Sequence, residues 1–225
     1  MEAIKDFMGR VITIDGPSAS GKTSVSRELA KRLGWHWVST GAYYRGLAYV
    51  AQAIQADLNN EETLAQLALD TKTWKVEMRE DQTLVFFRGQ DVTPEIFRED
   101  VGSIASKISH FPKVRASLLG AQRLCAETTQ GLVAEGRDCG TVVFPTAEAK
   151  VYLTATQENR AERRAKEQGL SAEQTVEDQK IRDQQDSTRK TAPLAVPKEA
   201  LVLDSTNLNF DQVVGQIEQF VKKRI

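Results

Sequence analysis

Short apolar runs alternate with longer stretches of helical spacing along most of the chain. The runs are RVITID, WHWVS, GLVAEG, AKVYLTAT and ALVLDST. After the first run, KTSVSRELAKRLG places Val25, Leu29 and Leu33 on one helical face and stops at a glycine, and FDQVVGQIEQFVKKR has helical spacing near the other end. Because buried strands joined by helical crossovers pair mainly in parallel, this pattern predicts an α/β fold with a five-stranded, mainly parallel sheet flanked by helices.

One region departs from this alternation. Residues 74–92, WKVEMREDQTLVFFRGQDV, alternate polar and apolar positions around a polar turn, which is typical of an antiparallel hairpin. The chain contains no internal repeats and no Pro/Gly/Ser-rich linker that would separate independent domains. We therefore expect one domain over residues 1–225, with the hairpin inside a small inserted subdomain.

Composition and charge exclude several classes of protein. The chain has 225 residues, 40% of them hydrophobic, so it can bury one good-sized core. Its 30 Lys and Arg oppose 31 Asp and Glu, which leaves no global basic field for nucleic acid. The first residues, MEAIKDFMGR, lack the apolar core of a signal peptide, and no apolar run has membrane length. We expect a cytoplasmic protein with no nucleic-acid or membrane partner.

Cysteine and histidine are too few for two kinds of site. Only Cys125 and Cys139, and only His36 and His110, occur in the chain, without ligand spacing. Neither a disulfide framework nor a Cys/His metal cluster can be assembled from them.

Residues 16–23, GPSASGKT, fit the pattern GxxxxGK[ST] between a predicted strand and a predicted helix. In such a loop Gly16 and Gly21 let backbone N–H groups turn inward, Lys22 reaches the β and γ phosphates, and the Thr23 hydroxyl can ligate Mg²⁺. This P-loop predicts a site for a triphosphate donor. The residues assigned to ATP binding are Gly16, Pro17, Ser18, Ala19, Ser20, Gly21, Lys22, Thr23 and Ser24.

A P-loop alone does not identify what receives the phosphoryl group, since switches, motors, transporters and kinases share it. A guanine-specific switch would need a base-reading motif of the NKxD type, and none of the five asparagines begins one. The chain instead carries arginine at the expected strand ends, which favours a second phosphate site.

The first such arginine lies in STGAYYRG, residues 39–46, which follows the second strand and is expected beside the P-loop. Thr40, Gly41, Tyr44 and Arg45 belong to it. Arg45 could bind a phosphate through two parallel hydrogen bonds of its guanidinium, or it could be a surface residue of an amphipathic helix.

The stretch AEGRDCGTVVFP, residues 134–145, follows the third strand of the predicted sheet. It sets Glu135, Arg137 and Asp138 at a strand's carboxyl end, where ligands bind in open α/β sheets. A binding role is the preferred interpretation of these three residues.

Two charged helical stretches complete the candidates. RDQQDSTR places Arg182, Asp186 and Arg189 at spacings that share one helix face, and NRAERRAKEQ carries Arg160, Arg163 and Arg164 after the fourth strand. Each stretch alone is more typical of a solvated, salt-bridged surface than of a binding site.

Together these pieces resemble the bacterial cytidylate kinases, or CMP kinases, of the nucleoside monophosphate kinase group. The resemblance covers nearly the whole chain and rests on ITIDGPSASGKT, STGAYYR, FPKVR, EGRDCGTVVFP, RDQQDSTRKTAPL and LVLDST, of which GRDCGTVVFP is the most specific. Two small departures are Thr40, where Ser is common, and Ala19, where many relatives have Gly.

The resemblance implies a P-loop kinase fold and a set of roles. It implies a core of about residues 9–62 and 110–225, an inserted nucleoside monophosphate-binding subdomain of about 63–109 and a helical lid of about 157–190. Arg45, Arg137 and Arg189 would hold the acceptor phosphate, Ser106, Arg115 and Asp138 would read the cytosine edge, and Arg182 and Asp186 would face the sugar and phosphate. Thr40 and Tyr44 would line the same CMP site. The catalytic set would be Lys22, Arg137, Arg160, Arg164 and Arg189.

The implied activity is direct in-line transfer from ATP to CMP or dCMP with Mg²⁺. We expect a monomer, because the sequence has no sustained heptad pattern and no obvious apolar edge strand. Two alternatives remain open at this point. One is a kinase of the same architecture that uses another acceptor, such as UMP, dTMP or shikimate. The other is a P-loop binding or regulatory module without turnover.

Overall fold

The computed structural model describes residues 9–168 and 172–225 of the chain. In chain order its elements are β1 (Arg10–Asp15), α1 (Lys22–Leu33), β2 (His36–Ser39), α2 (Gly41–Ala53), α3 (Glu61–Ala68), β3 (Trp74–Met78), β4 (Thr83–Phe87), β5 (Gln90–Asp91), α4 (Thr93–Ile96), α5 (Glu99–Ile108), α6 (Pro112–Glu127), β6 (Gly131–Gly136), a π-helical turn (Cys139–Val143), β7 (Ala149–Thr154), α7 (Gln157–Gln168), α8 (Ala172–Thr188), β8 (Leu201–Asp204) and α9 (Phe210–Lys222).

The predicted α/β fold is confirmed. A five-stranded sheet runs in the order β2-β6-β1-β7-β8, and every pair in it is parallel. Its strands are the five apolar runs of the sequence. The position of β2 differs from expectation, because β6 lies between β2 and β1. The residues after β2 are therefore separated from the P-loop by the end of β6.

The region that was predicted as an antiparallel hairpin forms a three-stranded antiparallel sheet. β3 pairs with β4, and the short β5 adds to β4 after a turn at Gly89. The sheet packs directly on α2, because a Cβ atom at Gly46 would lie only 2.8 Å from the Trp74 ring. The bounds predicted for the insert and the lid stay predictions.

Both faces of the parallel sheet are covered, as its apolar strands require. Side chains alternate along β1, so Val11 packs into one hydrophobic cluster while Ile12 and Ile14 pack into the other. The first cluster also contains residues of α2, α5, α6 and the small sheet, and the second contains residues of α1 and α9. The carboxyl ends of the strands are left at one edge for the site. Among the described residues, no helix is both long and apolar enough to cross a membrane.

Candidate active site

A cavity of about 390 Å³ lies at the carboxyl edge of the sheet. Its walls come from the P-loop, the start of α2, α5, the segment after β6, α7 and the end of α8. The charged residues that line it are Lys22, Arg45, Glu135, Arg137, Asp138, Arg164, Asp186 and Arg189. Residues far apart in the chain thus meet at one site, on the side of an open α/β sheet where ligands bind.

The backbone of the P-loop is tightly constrained. A Cβ atom at Gly16 would lie 2.0 Å from the Leu153 carbonyl oxygen, so only glycine fits there. Gly21 precedes α1 with φ +86°, in the left-handed region that favours glycine. Ala19 also has a left-handed φ, +56°, which costs a residue with a Cβ atom free energy. The loop therefore holds its cradle shape at some cost to folding.

Lys22 lies at the floor of this cradle with little access to water. Its Nζ donates a hydrogen bond to the Pro17 carbonyl oxygen at 3.0 Å, and the residue is 7% exposed. Burial, aided by the positive charge of Arg137, lowers the pKa of Lys22 to about 7. An anion in the cradle would stabilise the charged form.

Glu135 connects the P-loop to β2. Its Oε1 accepts a hydrogen bond from the Ser39 hydroxyl at 2.6 Å and one from the Thr23 hydroxyl at 3.3 Å. Glu135 is buried and lines the cavity. The three side chains place hard oxygen atoms together beside the loop.

Arginines face the other side of the cavity. Arg137 donates to Asp186 at 2.8 Å and to the Gly16 carbonyl at 3.1 Å, and Arg189 donates to the Ser109 hydroxyl at 3.3 Å. Although burial alone would raise it, the charges of Arg137 and Arg189 hold the pKa of Asp186 below its ordinary value. Asp186 thereby gathers two guanidinium groups at one wall.

Asp138 and Arg115 form a buried ion pair at the same wall. Arg115 also donates to the Ser109 carbonyl at 3.2 Å and stacks over the Tyr44 ring at 5.4 Å. Burial raises the pKa of Asp138 against the opposing charges of Arg115 and Arg189, and burial raises the pKa of Tyr44 to about 12. The ion pair with Arg115 thus fixes the orientation of the Asp138 carboxylate at the cavity wall.

The other predicted acceptor residues are held by residues near α4, in α8 and in β6. Arg45 donates to the Ile96 carbonyl at 2.8 Å and lies over the Phe97 ring at 5.8 Å. The Ser106 hydroxyl donates to Gln185 at 2.8 Å. Thr40 donates to the Glu135 carbonyl at 3.0 Å.

Arg160 and Arg164 do not form a solvated charged face. Arg160 is buried and donates to Asp183 at 2.6 Å and to the Ser18 carbonyl at 3.0 Å. Asp183 in turn accepts from the Ser18 N–H at 3.2 Å, so the pair clamps both backbone groups of a P-loop residue. Arg164 pairs with Glu99 of α5 at 2.7 Å, which joins α7 to the insert.

Arg189 and Asp186 lie close together at the end of α8, three residues apart in the chain. Helix α8 ends at Thr188, so Arg189 lies just beyond it, although its guanidinium still comes within 3.8 Å of Asp186. The side chain of Arg182 lies outside the described residues.

Three residues with hydrogen bonds at or beside the site were missed from the sequence: Asp183, Gln185 and Asp15. Asp183 had a signal, since it lies three residues before Asp186 and so on a neighbouring face of the same helix. Gln185 and Asp15 carry no comparable local signal.

Comparisons with known proteins agree with this geometry. A family model described as Cytidylate kinase matches residues 12–223. The Cytidylate kinase of Bdellovibrio bacteriovorus is 63% identical over 218 residues, which cover 97% of this chain and 100% of that protein. The Cytidylate kinase of Colwellia psychrerythraea is 42% identical over 220 residues, 96% of this chain and 97% of that protein.

Among solved structures, a gluconokinase from Sinorhizobium meliloti is similar in fold, with a TM-score of 0.51 at 13% identity over 96% of this chain and 93% of that one. This likeness concerns the fold alone. The family match and the close relatives extend over nearly the whole chain, and the chain therefore belongs to the cytidylate kinase family.

Proposed function

We propose that the protein transfers the γ-phosphoryl group of ATP to CMP, and to dCMP, giving ADP and the nucleoside diphosphate. One observation supports this most directly: a P-loop lysine and a cluster of arginines line the same cavity. A module that only binds ATP would not need the second, arginine-lined wall. Family membership supports the cytosine nucleotide as acceptor.

On the donor side, backbone N–H groups of the P-loop and the Lys22 ammonium hold the phosphates of ATP. Burial of Lys22 favours this role, because a desolvated ammonium gains more from an anion than a solvated one does. Arg160 and Arg164 of the lid complete the charge around the transferring group.

The oxygen atoms near Thr23 fit a magnesium ion. Mg²⁺ prefers oxygen ligands and usually combines one or two protein groups with substrate phosphates and water, and Thr23 with Glu135 supplies such groups. When bound, the ion would neutralise charge on the β and γ phosphates. The Thr23 hydroxyl is the proposed ligand.

On the acceptor side, Arg45, Arg137 and Arg189 hold the phosphate of CMP. Asp186 orients Arg137 and Arg189 and faces the sugar. Fixing guanidinium groups before the substrate arrives reduces the entropy lost on binding. The positive wall also counters the repulsion between the acceptor phosphate and the triphosphate.

The base is read by complementary polarity. Cytosine presents an amino donor where uracil presents a carbonyl, so a carboxylate accepts from the first and repels the second. Asp138 is the proposed acceptor, with Arg115, Ser106, Thr40 and Tyr44 around it. Arg115 pairs with Asp138, which lines the cavity.

The chemical step needs no nucleophilic side chain. An oxygen of the CMP phosphate attacks the γ-phosphorus of ATP, the new P–O bond forms, and the bond to the ADP oxygen breaks in line with it. The protein contributes position, charge neutralisation and exclusion of water.

A panel of acceptors tests the proposal. ADP release is followed in a coupled assay with CMP, dCMP, UMP, dTMP and shikimate at fixed ATP and Mg²⁺. We expect kcat/KM to be highest for CMP and dCMP. A higher value for another acceptor would refute the substrate assignment, and no acceptor-dependent release would favour a binding module.

A variant tests the base-reading residue. Asp138→Asn can donate to the uracil carbonyl through its amide, so the CMP-to-UMP ratio of kcat/KM should narrow by about tenfold or more. An equal fall with both substrates would instead place Asp138 in the phosphate site.

The proposal includes a cytoplasmic monomer. Both cysteines are free and buried, as suits a reducing compartment. Sedimentation at micromolar concentration, with and without both nucleotides, measures the assembly state, and a dimer would contradict that part.

A further inference from the structure

Asp15 is a buried carboxylate at the end of β1 that the transfer reaction does not use. The residue is 0% exposed and does not line the cavity. Its Oδ1 accepts a hydrogen bond from the Cys139 N–H at 2.8 Å, and its Oδ2 accepts one from the Gly140 N–H at 2.7 Å. Both oxygens are thus committed to neighbouring backbone amides far along the chain.

These two amides begin the π-helical turn directly after Asp138. The first N–H groups of a helical segment lack partners within it, and the residue before the segment commonly supplies a side-chain oxygen. Asp138 occupies that position but makes no such capping hydrogen bond. Its carboxylate pairs with Arg115 instead.

We infer that Asp15 is a positioning residue for recognition of the acceptor base: it caps the turn from β1, and so frees Asp138 to face the cavity. The inference rests on the proposed role of Asp138. Without Asp15, the carboxylate of Asp138 would be drawn to the free N–H groups of Cys139 and Gly140. It would then no longer point toward the base.

The chemistry of the group supports this role. A buried carboxylate is costly unless hydrogen bonds satisfy it, and burial accordingly raises the pKa of Asp15 to about 6 against the two amide hydrogen bonds that lower it. A carboxylate accepts on both oxygens, whereas an amide side chain accepts on one. Two adjacent N–H donors therefore require Asp and not Asn.

The test is Asp15→Asn, with steady-state kinetics for CMP, UMP and ATP. We expect KM for CMP to rise and the CMP-to-UMP ratio of kcat/KM to fall about tenfold, the effect of one lost charge-assisted hydrogen bond. KM for ATP should stay unchanged. An equal rise in KM for ATP would overturn the inference, because Asp15 would then act on the adjoining P-loop.

Thr13→Val is the matched control. Thr13 lies on the same face of β1, its buried Oγ1 has no hydrogen-bond partner among the described residues, and a Cβ atom at Gly140 would lie 2.7 Å from it. The variant changes the packing beside the turn and keeps both hydrogen bonds of Asp15. The CMP-to-UMP ratio of kcat/KM for Thr13→Val should equal that of the parent protein. If Thr13→Val lowers this ratio as much as Asp15→Asn does, the effect of Asp15 comes from packing beside the turn and the inference is overturned.

The double variant Asp15→Asn, Asp138→Asn separates the two proposals. If Asp15 acts through Asp138, the CMP-to-UMP ratio of kcat/KM should be no lower in the double variant than in Asp138→Asn alone. If the double variant instead lowers this ratio by the product of the two single-variant factors, the inference is overturned. If Asp138→Asn itself leaves the ratio unchanged, the proposed base recognition fails first.

Folding is checked by circular dichroism. Should Asp15→Asn not fold, Asp15→Ser is measured in the same way, because the hydrogen of a serine hydroxyl can rotate away from the amides, whereas the NH₂ group of Asn cannot. Failure of both to fold would overturn the inference, since Asp15 would then be a requirement of the fold.

Discussion

Replacing Lys22 with Met should stabilise the nucleotide-free protein near neutral pH. Two opposing effects decide the sign of the change in the free energy of unfolding. Each unit of pKa corresponds to about 1.4 kcal/mol, so the fall of the Lys22 pKa from 10.5 to about 7 bounds the cost of its buried charge at roughly 5 kcal/mol. Leaving the Pro17 carbonyl without its Nζ donor costs about 1–3 kcal/mol. The net effect favours Met by a few kcal/mol.

The dependence on pH is the sharper test. The folded-state pKa of Lys22 lies below its unfolded value, so between the two the unfolded chain binds more protons and the parent protein gains stability as pH rises. Met does not titrate. From about pH 7 to about pH 9 the advantage of the variant should therefore shrink by roughly 2 kcal/mol.

Urea unfolding of both proteins at each pH, at constant ionic strength, measures this difference. Lys31→Met is the control, because Lys31 is exposed on the same helix. A stability difference for Lys22→Met that does not change with pH would refute the argument from burial. The same variant should lower turnover by about 10²–10³-fold, and near-normal ADP release would refute the P-loop assignment.

Three further predictions concern the donor side. Replacing Arg160 and Arg164 together with Ala should lower kcat much more than the affinity for CMP measured by calorimetry, because both belong to the proposed lid; weakened CMP binding with normal kcat would mean that the lid is wrongly placed. Arg160→Ala alone should lower the free energy of unfolding by about 2–3 kcal/mol in urea titrations, since Asp183 loses its buried partner, and no loss would mean that the pair is replaced by water. Ala19→Gly should raise the free energy of unfolding by up to about 1 kcal/mol by relieving the left-handed φ, whereas a clear loss would show that the chain entropy of Gly outweighs that relief.

Local patterns predicted the parts of the fold that depend on neighbours in sequence. The five strands, α1 with its stop at Gly34 and the antiparallel region of residues 74–92 all follow from spacing over a few residues. The P-loop is of the same kind, since its eight residues carry their own chemistry.

The order of strands and the partners of buried charges could not be predicted in this way. The placement of β6 between β1 and β2 depends on contacts across roughly a hundred residues of chain. Asp15 meets Cys139 and Gly140 through the same long-range packing. The local sequence favoured a solvated face for Arg160, and that prediction was wrong because burial depends on where α7 packs and not on its own sequence.

The contact between Gly46 and the Trp74 ring has a consequence for protein engineering. One continuous hydrophobic cluster contains Val11 and Leu132 of the parallel sheet together with Trp74 and Val85 of the small sheet. Helix α2 carries Arg45 toward the cavity and packs against this cluster through its other side. A small sheet taken from a relative would not match the apolar surface of α2, so a functional chimera must transfer α2 and the small sheet as one unit.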